Sequence, residues 1–185
     1  MITRERTDSM MEALTLIKVS RACLREIEAY RAAFPEERQQ VTWNRDRIPG
    51  LDHLEEYGQT EDWLSFCDSM RGKITWYMTR RVSDGKTVGM IVLRTSLEYD
   101  DDDPEFCSHI GYSIRPDERR KGYAARQLRL CLDEARALGL SAVRLICRDT
   151  NEGSIRTILR NGGVYLDTLH GEESGMNVNR YDIRL

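Results

Sequence analysis

The sequence predicts an α/β (α+β) domain: a central mixed sheet of about seven strands, mostly antiparallel, with flanking helices. Three observations predict it. Short runs of aliphatic, aromatic and β-branched residues recur along the chain, from Ala13–Val19 to Val178–Leu185. Asp84-Gly85 lies between two such runs and is a tight-hairpin signal, pairing them antiparallel. Between Ile110 and Cys147 a strand, a helical stretch and another strand follow one another, a connection that joins parallel strands.

Each element has its own warrant. Residues 1–10 are polar and read as a frayed tail. Ala13–Val19 is the first strand, and Ser20 is placed to cap a helix over Arg21–Phe34 that Pro35 ends. Glu36–Gly50 is a polar connection. A second helical region lies between Leu51 and Met70, interrupted near Gly58, with Trp63, Leu64, Phe66 and Cys67 as its apolar side. Ile74–Thr79 and Thr87–Leu93 are the hairpin strands. Leu97–Glu105 is an acidic loop, and Phe106–Ile114 is the strand after it. The next helix, Arg120–Leu138, carries Ala124, Leu128, Cys131, Ala135 and Leu138 on one face and ends at Gly139. Val143–Cys147, a helix over Glu152–Arg160 capped by Asn151, and strands at Val164–Leu169 and Val178–Leu185 complete the order.

Bulk properties exclude several classes. The 185 residues suit a single domain, and a formal charge of −3 is not that of a general nucleic-acid binder. No run approaches membrane-spanning length, and no leader pattern opens the chain. Five scattered cysteines without Cys-x-x-Cys spacing predict reduced thiols and a cytoplasmic protein, and the three dispersed histidines suggest no metal site.

The chemistry concentrates at Ile110–Ala124. A helix start carries partial positive charge and bare N–H groups, so it favours acids. Here Arg119, Arg120 and Lys121 precede it, offset in part by Asp117 and Glu118. That arrangement suits an external polyanion, although a solvated basic turn has the same composition. Gly122 would let the backbone approach the anion closely.

Arg119-Arg-Lys-Gly122-Tyr-Ala124 resembles the Arg/Gln-x-x-Gly-x-Gly/Ala signature of the GNAT (Gcn5-related) N-acetyltransferases, and sits between a strand and a helix as theirs does. Asn151-x-x-Ser154 and Asn161-Gly-Gly163 extend the likeness. The resemblance implies a GNAT fold over residues 1–185 whose parallel strand pair splays to hold acetyl-CoA as cosubstrate. It implies an acetyl-CoA-binding core at 106–163 and a helical acceptor side at 20–70. The pyrophosphate would lie over Arg119, Arg120, Lys121, Gly122, Tyr123 and Ala124. Ser113, Ile114 and Arg115 would hydrogen-bond the pantetheine through the main chain, with Asn151 and Ser154 beside it. Function would be direct transfer of an acetyl group to a primary amine; an idle domain that binds acyl-CoA as a sensor or scaffold is the alternative. A homodimer is left open.

One position departs from the family. Many members carry a tyrosine seven residues after the asparagine, placed to protonate the departing thiolate; here it is Ile158. For the base, alternation puts Phe106, Ser108, Ile110 and Tyr112 on one face, which the alignment turns toward the acceptor, and Cys107, His109, Gly111 and Ser113 on the other. A one-residue bulge would bring His109 into the cleft as base. Otherwise the proton leaves through water to Glu98, Glu105 or the aspartates between them. Tyr181, in the last strand, is a packed aromatic or a further catalytic candidate. Asp100–Asp103 is a solvated turn or a lure for a cationic amine.

Overall fold

The Asp84-Gly85 turn organises the larger sheet. Gly85 adopts φ +72°, and the turn joins β2 (Ile74–Arg81) to β3 (Thr87–Arg94) with Tyr77 opposite Ile91. β1 (Leu14–Lys18) pairs with β2 and β4 (Ile110–Ile114) with β3, both antiparallel, giving the order β1-β2-β3-β4. The structure is a computed structural model that describes residues 12–34, 48–99, 106–171 and 175–185. A second sheet has the order β5-β7-β6, built from β5 (Ala142–Arg148), β6 (Val164–Gly171) and β7 (Met176–Arg184).

The seven expected strands are therefore present, in two sheets that meet at one corner. His109 N–H donates to Arg144 C=O at 2.8 Å, and among the described residues no ladder joins β4 to β5 beyond it. Both strands run away from that bond in the same direction. Three residues further on, Tyr112 of β4 and Cys147 of β5 stand level across the gap.

Each face of the larger sheet has its own core. Trp76, Met78, Met90 and Val92 pack against Ile27 and Tyr30 of α1 (Leu24–Arg31) and Trp63 and Leu64 of α2 (Thr60–Ser69). On the other face Tyr77, Ile91, Leu93 and Ile110 meet Leu128 and Leu132 of α3 (Tyr123–Ala137), Ile158 of α4 (Glu152–Arg160), and Leu145 and Tyr181 of the second sheet. Each such side chain contributes about 1.5–3 kcal/mol when fully buried. This second core bonds the two sheets together while leaving the β4–β5 gap open at one end.

Three boundaries differ from expectation, each for a local reason. The strand expected over Phe106–Ile114 is regular only from Ile110, because at His109 the N–H turns to Arg144 while the C=O stays on Arg94 of β3. The helix expected from Arg120 starts at Tyr123, because Arg120 (φ +64°) and Gly122 (φ +79°) are left-handed. The first helix opens as a 3-10 turn over Arg21–Cys23. The break near Gly58 is as expected, separating a 3-10 turn at Leu54–Glu56 from α2. Pro35 and the acidic run Asp100–Glu105 lie outside the described residues.

Candidate active site

The gap between β4 and β5 is lined by main chain as well as side chains. Arg115 N–H reaches Val88 C=O at 2.9 Å, and the register pairs Ser113 with Met90 in the same hydrogen-bonded phase. The peptide groups of Ser113 and Arg115 thus face β3, whereas those of Tyr112 and Ile114 face the gap. Of Ser113, Ile114 and Arg115, only Ile114 turns its peptide groups to the gap, together with Tyr112. Ser113 instead uses its side chain, with Oγ donating to Pro49 C=O at 2.6 Å and lying 3.1 Å from Tyr30 Oη.

The two faces of β4 are the reverse of those expected. Ile110 and Tyr112 point to the α3–α4 side. Gly111 and Ser113 face α1 and the turn at Pro49–Asp52. That turn lies flat on the sheet: a Cβ at Gly50 (φ +90°) would meet the Met90 backbone at 2.7 Å, so only glycine fits. Asp52 pins it by a buried ion pair with Arg94 at 2.6 Å and by accepting Gly50 N–H at 3.3 Å. Sequence reasoning passed over this pair, since nothing local brings two residues 42 positions apart together.

At the open end of the gap lies the turn before α3. The helix has neither a side-chain cap nor an acid in its first turn. A Cβ on Gly122 would meet nothing within 4 Å, so the space above the turn is open. Arg119, Arg120 and Lys121 are all exposed around it. Arg119 Nε donates to Ile114 C=O at 3.1 Å, and its guanidinium lies 5.7 Å from the Phe34 ring centroid, so it is held over the gap mouth. Arg115 is turned to Asp117 at 2.8 Å. Ala124 is half-buried behind the turn.

Beneath this surface Glu118 is a hub. Its carboxylate, only 4% exposed, accepts from Lys121 at 2.7 Å, Lys86 at 2.6 Å and Arg81 at 3.0 Å. Burial alone would raise its pKa, but these cations more than offset that and hold it below the ordinary value. The buried Tyr123 directs its hydroxyl to Glu12 and accepts from Arg81 at 3.2 Å, so its side chain braces the turn from behind.

Further along the gap, Asn151 Oδ1 accepts Ser154 N–H at 3.1 Å, capping α4 as expected. Ser154 Oγ is 2.8 Å from Tyr112 Oη, which bridges β4 to α4. Burial raises the pKa of that phenol, against the hydrogen bond with Ser154. Ile158, one turn after Ser154, is fully buried.

The catalytic candidates are not gathered together. His109 sits at the closed corner, with Nδ1 accepting Arg144 N–H at 2.9 Å. Burial lowers its pKa, with the Arg144 and Arg94 charges adding to it against Asp182. The neutral ring therefore carries its proton on Nε2, and neither nitrogen offers a lone pair to a substrate. The β4 register is regular from Ile110 to Ile114, and the irregularity lies at His109 itself, whose N–H leaves β3 for Arg144. Tyr181 lies mid-strand opposite Leu145, buried, with its ring 5.8 Å from that of Tyr165 and its hydroxyl accepting from Asn179 at 3.3 Å. Glu105 lies outside the described residues; Glu98 is exposed. Among the described residues no three His, Cys, Asp or Glu side chains gather as a metal site, and no helix is long and apolar enough to cross a membrane.

A mixed α/β domain with one parallel strand pair joined only at a corner, and a basic uncapped helix start at the open end, is built to bind an anionic ligand beyond the carboxyl ends of those strands. The chain belongs to the acetyltransferase (GNAT) family, whose model matches residues 28–162. Solved structures of the same fold include YncA from Salmonella typhimurium, solved with its cofactor acetyl-CoA (16% identity, 94% of each chain, TM-score 0.65). They also include the ribosomal L7/L12 α-N-protein acetyltransferase RimL with coenzyme A (14%, covering 93% of this chain and 94% of that one, 0.70). A dodecameric spermidine N-acetyltransferase from Vibrio cholerae is a third (17%, 92% and 93%, 0.64). No curated protein matches the sequence significantly.

Proposed function

We propose that this chain is an acetyl-CoA-dependent N-acetyltransferase that moves the acetyl group directly to a primary amine. One observation carries the reading: the open end of the β4–β5 gap coincides with the basic, uncapped start of α3. A diphosphate fits the exposed cations and bare amides there, and a thin pantetheine chain fits a gap edged by the peptide groups of Tyr112, unpaired among the described residues, and by Ile114 N–H. In this reading residues 106–163 are the acetyl-CoA core and 20–70 the acceptor side of one domain.

Amine nitrogen attacks the thioester carbonyl, and the carbon–sulfur bond breaks with its electron pair on sulfur. Because an alkyl amine has a pKa of about 10, a proton must be removed first. His109 is clamped, so the proton leaves through water toward the exposed Glu98. Cys147 does not carry the acetyl group: burial pushes its thiol up to about 11, and a protonated thiol is a poor nucleophile. Trapping an acetylated Cys147 during turnover would overturn direct transfer.

The amine class is supported by the relatives, since spermidine and a protein α-amino group are both amines. The five cysteines are free, in keeping with a cytoplasmic protein. The buried Ile158, where many members of the family carry a tyrosine, favours the second reading of an idle acyl-CoA sensor. Thiol release from acetyl-CoA with polyamines, aminoglycosides, amino acids and peptide N-termini separates the two. Binding without turnover of any amine would establish the sensor.

A further inference from the structure

We propose that Tyr112 and Ser154 together stabilise the departing CoA thiolate by hydrogen bonding, in place of the helix tyrosine that Ile158 replaces. The inference rests on the acetyl-CoA reading above. Tyr112 leaves β4 three residues beyond the His109–Arg144 corner, where the strands have parted, and reaches across to α4. Its hydroxyl meets Ser154 Oγ at 2.8 Å, one helical turn before Ile158 on the same helix. The pair therefore spans the gap at the level of Cys147, beside the line a pantetheine thiol would follow.

Several features suit the pair to a sulfur that is gaining charge. Asn151 holds Ser154 N–H, so Ser154 is fixed in the first turn of α4, where the helix start favours an anion. Burial keeps the Tyr112 phenol protonated through neutral pH, so it donates and does not compete as an anion. The titratable groups around the pair are Cys147 of β5, whose thiol also hydrogen-bonds Ser154, and, in the same core, Cys131 of α3 and Tyr181 of β7, with Asp149 after β5 acting on Cys147. Burial raises the pKa of both thiols and of Tyr181, so none of the three carries charge at neutral pH.

The step balances. As the carbon–sulfur bond breaks, its electron pair goes to sulfur, which accepts a hydrogen bond from the Ser154 hydroxyl while Ser154 Oγ accepts one from Tyr112 Oη. The thiolate takes its proton from water as CoA leaves, and both hydroxyls keep theirs. Ser154 is the donor to sulfur, and Tyr112 orients it.

The test compares CoA with desulfo-CoA, which lacks the sulfur, as ligands of the full chain at pH 7 and pH 9.5 by calorimetry. A simple thiol ionises at about 8.5, so the parent's preference for CoA over desulfo-CoA should rise by about tenfold or more across that range. Tyr112→Phe and Ser154→Ala should each lose that rise, whatever their affinity for desulfo-CoA, and Ser154→Thr should regain it. A rise kept undiminished in both variants overturns the pair. Failure of the parent to bind either ligand overturns the acetyl-CoA reading itself, which is a different result.

Discussion

At His109 a single hydrogen bond decides between a base and a structural post. Its Nδ1 is occupied by Arg144 N–H, and glutamine can accept the same bond through its side-chain oxygen. His109→Gln should therefore leave the pH profile of kcat/KM unchanged and kcat within a few-fold of the parent. A loss of about a hundredfold, together with loss of the limb near pH 6.5, would make His109 the base after all. Gly122 is decided by backbone. Its φ of +79° sits over open space, so Gly122→Val meets no neighbour but strains the turn by about 1–2 kcal/mol and puts a branched side chain where a phosphate would lie. Calorimetry should show CoA affinity falling tenfold or more, with thermal stability reduced only modestly. Equal affinity would sink the proposed cofactor site.

At the scale of elements, the turn between β4 and α3 is shaped from below. Glu118 ties Lys86, Arg81 and Lys121 under it, so Lys121, first read as a phosphate ligand, is partly committed to an internal carboxylate. Glu118→Gln should leave three cations without their shared partner, costing about 2 kcal/mol of stability and raising the KM for acetyl-CoA more than it lowers kcat. The sign of the pH effect follows from its depressed pKa. The stabilisation is present above the ordinary glutamate pKa and is lost as pH falls through the lower folded value. Denaturant midpoints of parent and variant should therefore converge in acid. Midpoints that stay equally far apart at all pH values would show that charge is not the cause. Signals for most elements were local: the Asp-Gly turn, the apolar stripe of α3, the asparagine cap of α4. The start of α3 was misplaced because left-handed Arg120 has no signature in sequence.

Over the whole molecule, two sheets are held as one body by the core beneath α3. Leu128 is fully buried there between β3, β4 and the second sheet. Leu128→Ala should destabilise the protein by about 2–5 kcal/mol in a single cooperative transition. A transition that split in two would mean the sheets fold independently. The sequence by itself determined the order of elements, the parallel pair and the basic helix start, because each depends on residues within one or two turns of one another. Only the tertiary structure decided which face of β4 meets α1 and the Pro49–Asp52 turn, where His109 spends its lone pair, and that Tyr112 meets Ser154. It alone set Asp52 against Arg94. Those are contacts between residues 35 to 83 positions apart. A strand's alternation fixes which side chains share a face, but not what that face will meet.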